Sequence, residues 1–485
     1  MNMPLTTLWL IPLVGAAACA LAGRAGKLAP KACALVFSLA FLAAALVPVV
    51  MLSGSPSLAV LAEVGPKWAF GISYRLSADT LSLGLVALTA FLNLVCVVAS
   101  WDLEVGAGYW ACFLALASAL TGVFLARDLF FFYCFWEATL IPMFFIIGVW
   151  GSSNRRHAAV KFFLYTFAGS VFMLLAILAL VSAHHGATGV WTWDLAELDA
   201  KTLGPAAPWV FWGLVLGFAV KVPMIPLHTW LPDAHTEAPA AGSVMLAGVM
   251  LKMGVYGLLR IALPLFPDLA WDALPILGGL AAVSTVYAAL CAMAQTDLKR
   301  LIAYSSIAHL GFCLLGVLSR TSQGLTGGTL QLVNHGLTTG ALFLLVGFLY
   351  DRAHKRGLSD FGGLAERAPW FAFFFGFSTL ASIGLPGLNG FVGEFMSLSG
   401  ILAALPVLAL VGGLGVTLAA AYALPAFQAV FWAPEGPGSV SAHVTDLRPR
   451  EKAVLWTLCA LMLWIGLAPN PWLAFFEPAL KGLVR

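Results

Sequence analysis

From Leu5 almost to the end of the chain, apolar runs of about twenty residues follow one another with only short polar or Pro/Gly-rich breaks between them. About twenty such residues are what a helix needs to cross the hydrocarbon core of a bilayer. With 61% hydrophobic and only 10% charged residues among 485 positions, too little polar surface exists to cover a water-soluble globule of this size. The pattern predicts an all-α polytopic membrane protein with fourteen spans, among them 128–150, 207–230, 238–263, 298–318, 327–350 and 370–402. The first run has no positively charged leader and reads as a retained helix rather than a cleaved signal. The eight cysteines never form CxxC, so their spacing excludes a thiolate zinc or iron–sulfur site. A net charge of +3 without a basic tail gives no footing for nucleic acid.

Charge placement says more than net charge. When the connections are alternated between two sides, fifteen Lys and Arg fall on one side and eight on the other, with Lys221 and Lys252 left inside spans. Connections rich in Lys and Arg stay cytoplasmic, so both termini are expected to face away from the cytoplasm.

Two spans are interrupted. Pro223 and Pro226 break 207–230, and "IGLPGLNGFVGEF" breaks 370–402 at Pro386 and its glycines. The interruptions are five spans apart, which predicts two five-helix repeats, 109–263 and 273–432, flanked by N-terminal helices in 1–108 and a C-terminal helix and tail in 452–485. An odd repeat length requires the second copy to be inverted, and folds of this kind place ion sites at their broken helices.

Four charges fall inside or beside these spans: Glu137, Lys221, Lys252 and Glu394. Each costs roughly 2.5–3.5 kcal/mol on insertion scales, so they must be paired, neutral or wetted. Glu137 with Lys221 reads either as a structural ion pair or as a switchable one. Lys252 favours the switch, because no acid lies within a helical turn of it and an unpartnered buried lysine is driven toward trading its proton. His309 and His335 fall between Lys252 and Glu394 in chain order and suit a proton relay, with Ser305, Asn334 and Thr338 available to hold water.

Other polar residues read as structural. His228 and His235, with Asp233 and Glu237, are placed in the loop after the first break, where their spacing fits no common metal site. His157, His184, His185, His354 and His443 are placed in solvated connections, and "WTWDL" at 191–195 suits interfacial anchoring. The sequence has no phosphate-binding glycine motif and no haem or cluster ligand pattern, so electron transfer is not expected within this chain.

Five stretches, "CFWEATLIPMFFIIG", "KVPMIPLHTWLPDAHTEAPAAGSVMLAGVMLKMGVYGLLR", "DLKRLIAYSSIAHLGF", "NHGLTTGALFLLVG" and "LPGLNGFVGEF", resemble the antiporter-like membrane-arm subunits of respiratory complex I (NADH:quinone oxidoreductase), in particular the M type, called subunit 4 in mitochondria. The resemblance implies a proton-translocating path through Glu137, Lys221, Lys252, His309, His335 and Glu394. A glutamate at the last position and the chain's end soon after its last span point to M rather than to the sister subunits L and N. The resemblance also implies that FMN, iron–sulfur clusters and quinone belong to partner subunits, with no cofactor and no metal in this chain. The partners it implies are L and N, through them the peripheral arm, and membrane lipid, in the cytoplasmic (inner) membrane of a bacterium with periplasmic termini. The rival readings are a subunit of a multisubunit sodium/proton antiporter and a non-pumping scaffold of the same fold.

Overall fold

The computed structural model describes residues 4–54 and 60–484; Arg485, counted in the charge tally above, lies outside them. The elements are α1 (Thr6–Ala22), α2 (Leu28–Gly54), β1 (Leu61–Lys67), β2 (Ser73–Ala78), α3 (Thr80–Ala99), α4 (Ala107–Leu125), α5 (Leu129–Ala138), α6 (Leu140–Trp150), α7 (Arg155–Thr188), α8 (Ala207–Lys221) and α9 (Trp230–Glu237). They continue with α10 (Ala240–Met245), α11 (Lys252–Gly257), α12 (Leu263–Leu265), α13 (Pro267–Asp272), α14 (Leu274–Met293), α15 (Leu298–Leu318) and α16 (Ser322–Ala353). The chain ends in α17 (Leu364–Arg367), α18 (Pro369–Ser382), α19 (Asn389–Ala404), α20 (Pro406–Phe431), α21 (Pro449–Leu467) and α22 (Asn470–Leu480).

Helix starts follow local chemistry. Asp79, Asp128 and Asp297 each turn a carboxylate onto the first free amides of α3, α5 and α15, reaching Ser82 N at 3.0 Å, Phe130 N at 2.9 Å and Lys299 N at 2.9 Å. These contacts satisfy donors that a helix cannot pair internally and place negative charge at its positive end.

About fourteen spans are expected, two of them broken. Among the described residues twelve are long and apolar enough to cross, or thirteen when α21 and α22, bent by 77° at Ala468–Pro469, are taken together. The span expected to be broken, 370–402, falls outside that length test. It is divided into α18 and α19, of 14 and 16 residues, each shorter than a bilayer crossing. The all-α expectation also needs one addition. β1 and β2 form an antiparallel hairpin, with Leu61 opposite Ala78 and Val64 opposite Arg75. Asp194 ties it down, accepting from Arg75 and from Arg127 Nε at 3.2 Å. Burial pushes the Asp194 carboxyl up, but the Ala196 amide and the two guanidiniums outweigh that and leave it below the usual carboxylate range.

Helix α16 is the axle, its apolar window fully enclosed by protein, whereas only 22% of the corresponding window of α20 is covered. α15, α19, α10 and α3 pack around it. The stretch from α10 to α12 crosses as one segment, 94% enclosed, but is wound as α-helix interrupted by π-turns at Leu246–Met250 and Leu258–Ala262. Arg260, in the second π-turn, donates to both carboxylate oxygens of Asp79 at 2.7 and 2.6 Å. Asp79→Ala removes that pair and the cap of α3 together, leaving a guanidinium without its carboxylate. The expected cost is on the order of 3 kcal/mol, read as a lowered thermal unfolding midpoint of the purified protein, with Asp79→Glu recovering part of it.

Candidate functional site

The first break is built at the end of α8. Lys221 is the last residue of that helix, and the chain then turns through Val222–Thr229, containing Pro223 and Pro226, before α9. A helix that stops inside a membrane leaves backbone groups without partners, and in hydrocarbon each is costly. Side chains take them up: Trp230 Nε1 donates to Val220 O at 3.0 Å, and Ser284 Oγ accepts from Ile225 N at 3.0 Å. Lys221 is 1% exposed and its Nζ has no hydrogen-bond partner. It lies 5.6 Å from the ring centroid of Trp136 and 5.8 Å from that of Phe162, over two π-faces that attract a cation.

Glu137 is the neighbour of Trp136 in sequence and sits at a second, milder interruption. Pro142 has no amide with which to continue the ladder between α5 and α6, and Thr139 Oγ1 bonds back to Trp136 O at 2.7 Å. One carboxylate oxygen of Glu137 is buried without a partner. The expected contact of Glu137 with Lys221 is therefore not closed. The aromatic faces hold the ammonium at a site where a direct ion pair would otherwise be needed.

Lys252 is fully buried and starts α11, just after the first π-turn. The π-turn widens the helix by one residue and aims the side chain across the bundle. Its ammonium donates to Ala247 O, within its own helix, and its Nζ lies 2.6 Å from His335 Nδ1 on α16. Close packing of α11 against the end of α8 depends on Gly254, where an added Cβ would stand 2.6 Å from Phe218 O. That contact sets Lys252 one layer from Lys221, although no side-chain bond joins the two lysines.

From His335 the polar line continues. The His309 ring lies 6.1 Å away, centroid to centroid. A void of about 10 Å³ bordered by both histidines, Gln331, Asn334 and Ser382 lies between them, about the least space that holds one water. His309 Nδ1 is 2.8 Å from Glu394 Oε1, while its Nε2 meets Ser382 Oγ at 3.1 Å and Tyr422 OH at 3.2 Å. Gln331 Nε2 donates to the same Glu394 oxygen at 3.1 Å, and Glu394 Oε2 is left without a partner. That free oxygen faces Gly384 (φ +73°) in the second break, where an added Cβ would stand 3.0 Å from it. Pro386 lies in the same turn between α18 and α19.

Of the six candidate residues, the fold brings Lys252, His335, His309 and Glu394 into one line and sets Glu137 and Lys221 near its other end. Three residues expected to hold water also make bonds of their own. Asn334 Nδ2 donates to Asn389 O at 2.8 Å, Thr338 and Asn389 share bonds, and Ser305 bonds back to Ile302 O within its helix. The first two fasten α16 to the start of α19.

Sequence reading missed His235. It is not in a loop but on α9, 0% exposed, stacked on Phe343 at 4.6 Å, with neither ring nitrogen bonded. The acids that flank it turn the other way, Asp233 to Lys161 at 2.6 Å and Glu237 toward Arg356 at 3.7 Å. His228 instead presents its ring edge toward Tyr287, so the two histidines do not converge. Lys299, placed at the edge of a span, is also buried. His157, His184 and His185 belong to α7 rather than to a connection, and His184 is buried.

Residues 126–423 match the transmembrane family described as NADH:quinone oxidoreductase/Mrp antiporter. NADH-quinone oxidoreductase subunit M of Rhodobacter capsulatus is 41% identical over 99% of this chain and 96% of its own length. The Escherichia coli K12 subunit M is 39% identical over 97% and 95%. A chain of respiratory complex I from Thermus thermophilus with bound NADH has a TM-score of 0.88 at 33% identity, covering 99% of this chain and 100% of that one. A chain of the Mrp complex from Dietzia sp. DQ12-45-1b reaches a TM-score of 0.87 at 22% identity, over 100% and 98%, a likeness of fold alone. Near-full-length identity at this level means that the chain belongs to the NADH-quinone oxidoreductase subunit M family.

Proposed function

We propose that this chain is a proton-translocating membrane subunit of an NADH:quinone oxidoreductase, moving protons through its buried Glu, Lys and His side chains while the redox chemistry runs in partner subunits. The observation that carries the reading is the line from Lys252 through His335 and His309 to Glu394, with contacts of 2.6 and 2.8 Å at its two ends. Lysine, imidazole and carboxylate at these separations can each give and take a proton, and one water closes the single gap.

In this proposal 109–263 and 273–432 are two half-channels related by inversion, each opened at its broken helix. Glu137 and Lys221 form the input gate. With Lys221 resting on Trp136 and Phe162, the gate is open; closing it would bring the charges to about 4 Å, an attraction of roughly 4 kcal/mol at an effective dielectric near 20. FMN, iron–sulfur clusters and quinone sit in partner subunits, antiporter-like L and N subunits flank the chain, and it resides in a bacterial cytoplasmic membrane with periplasmic termini. A sodium/proton antiporter subunit is the second reading, favoured by the family description that the two groups share.

Copurification separates the readings. A tagged chain should bring down flavin- and iron–sulfur-containing subunits; recovery of small antiporter subunits in their place would transfer it to the second reading. The gate is tested by Glu137→Gln and Lys221→Ala in the intact complex. Both should assemble on a native gel and lose most NADH-driven proton uptake into inverted vesicles. Failure of both to assemble would mark the pair as structural.

A further inference from the structure

A groove of about 480 Å³ runs between α2, α3, α16, α21 and α22, bordered by none of the six candidate residues. Its lining on α2 extends from Leu42, near the middle of that helix, to Ser53 near its end. Those eleven residue steps cover about 16 Å at a helical rise of about 1.5 Å per residue. Half of a hydrocarbon core about 30 Å thick is nearly the same length, so the groove is one leaflet deep. That leaflet is the one away from the connections dense in Lys and Arg. α2 starts beside Lys27 and Lys31, α21 starts beside Arg448 and Arg450, and both line the groove only from their middles onward. On the inner wall are Val333 and Leu337 of α16, the helix that carries His335.

The size of the groove selects its occupant. Volume over length gives a cross-section of about 30 Å², whereas a helix about 10 Å across covers about 80 Å². A single hydrocarbon chain enters where a helix does not. Water finds no partners along such a wall, and an empty groove forfeits the dispersion contacts of its whole lining. The two hydroxyls on the wall are already spent within their own helices, Ser53 Oγ donating to Val49 O at 2.8 Å and Thr457 Oγ1 to Ala453 O at 2.9 Å. Trp472 differs: its Nε1 is buried and has no hydrogen-bond partner. This residue follows the 77° bend between α21 and α22 and packs edge-on to Trp464 at 5.1 Å, at the end of the groove where α2 and α21 both finish. A buried indole N–H ordinarily has an acceptor, and tryptophans collect at the headgroup level of a bilayer.

We propose that the groove is a binding site for one acyl chain of a phospholipid from that leaflet, with Trp472 Nε1 donating to an ester carbonyl of the same lipid. A slot that is apolar along its length and carries one free donor at its outer end is the complement of an amphiphile with its head outward. The bound chain completes the wall behind Val333 and Leu337 and ties α2, α21 and α22 to the axle helix. The site belongs to the fold and stands apart from the function proposed above.

The test uses the intact complex in vesicles that contain phosphatidylethanolamine carrying a diazirine midway along one acyl chain. After loading, the vesicles are chased with unlabelled lipid, irradiated, and the adducts on α2 assigned by peptide mass spectrometry. Leu46 and Val47 are neighbours with the same exposure, 44%, but only Leu46 lines the groove. Val49 lines it as well, whereas Val50, at 69% exposed, does not. A chain held in the groove should label Leu46 and Val49 at least fivefold more than Val47 and Val50 after the chase. Labelling that follows exposure, with Leu46 equal to Val47 and Val50 above Val49, is what bulk lipid gives and overturns the site. An absence of lipid adducts on both Leu46 and Val49, as expected if a neighbouring subunit fills the groove with its own side chain, overturns it too. Ala87→Phe, which puts a ring into the groove from α3, should abolish the Leu46 and Val49 adducts and spare those on Val47 and Val50; unchanged adducts count against the site. Should that variant fail to assemble, the Leu46 to Val47 ratio in the unsubstituted complex decides. Trp472→Phe keeps the ring and drops the donor, and the groove adducts should be lost at least threefold faster during the chase. An unchanged rate overturns the ester contact.

Discussion

Lys252→Met should yield a complex that assembles, is at least as stable as the parent, and pumps about tenfold or more slowly. General acid–base groups on a proton path contribute typically 10²–10⁴-fold, and tenfold is the floor because neighbouring subunits can carry part of the flux. The stability half of the expectation is the sharper one. Lys252 is fully enclosed among apolar side chains, bonded only to Ala247 O and His335. Methionine has nearly its length and volume without its charge, so the substitution relieves the cost of a buried ammonium and gives up roughly 1 kcal/mol of hydrogen bonding to His335. A residue retained for packing should behave in the opposite way, losing stability and keeping activity. The measurement is a thermal unfolding midpoint beside the initial rate of NADH-driven proton uptake, both in the same preparation. A less stable variant with normal uptake would sink the role assigned to Lys252.

At the other end of the line, Glu394→Gln should stop proton release with little change in structure. The amide is isosteric, so the oxygen can go on accepting from Gln331 as it does now at 3.1 Å, but the group can no longer ionise. His309, whose Nδ1 lies 2.8 Å from that oxygen, then holds a proton it cannot pass on. Uptake should fall about tenfold or more, as for Lys252→Met, by the same acid–base range. NADH:quinone turnover should fall with it wherever coupling is tight. Glu394→Asp keeps the acid but draws it back by one methylene from His309, and intermediate activity is the expected result. Equal activity in the Gln and Asp variants would show that charge at this position is irrelevant.

Much of this arrangement was legible because membranes simplify the reading. An apolar run of twenty residues has one main use, a proline within it must interrupt the ladder, and a charge within it demands an explanation. Lys221, Lys252 and Glu394 stood out on those grounds alone. What escaped depends on packing that no local pattern records. The π-turn that aims Lys252 is written in unremarkable letters, and Gly248, where a Cβ would stand 2.4 Å from Leu92 Cδ1, marks the close contact only after the helices are assembled. His235 was hidden by its neighbours. Asp233 and Glu237 give α9 the look of a loop, and only the fold shows that the acids turn to Lys161 and Arg356 while the imidazole packs on Phe343. The open Glu137–Lys221 pair is a further case, since no local pattern shows that the rings of Trp136 and Phe162 stand beside Lys221. The break in 370–402 leaves six residues, 383–388, between two helices that are each too short to cross.

The enclosure of α16 has a consequence for how the protein is made. Gln331, Asn334, His335 and Thr338 line one side of a helix whose apolar window is fully enclosed by protein. During synthesis this helix leaves the ribosome well before α19, which supplies Asn389 and Glu394 to cover that side. Until α19 arrives the nascent helix cannot rest in hydrocarbon with its amides unmet, and α10 and α15 are the surfaces already present on which it can wait. Biogenesis is therefore not a sequence of independent insertions. The buried polar line stays unsealed until the second half is complete, and a chain that stalls before α19 displays to the quality-control machinery a polar side that the finished fold hides.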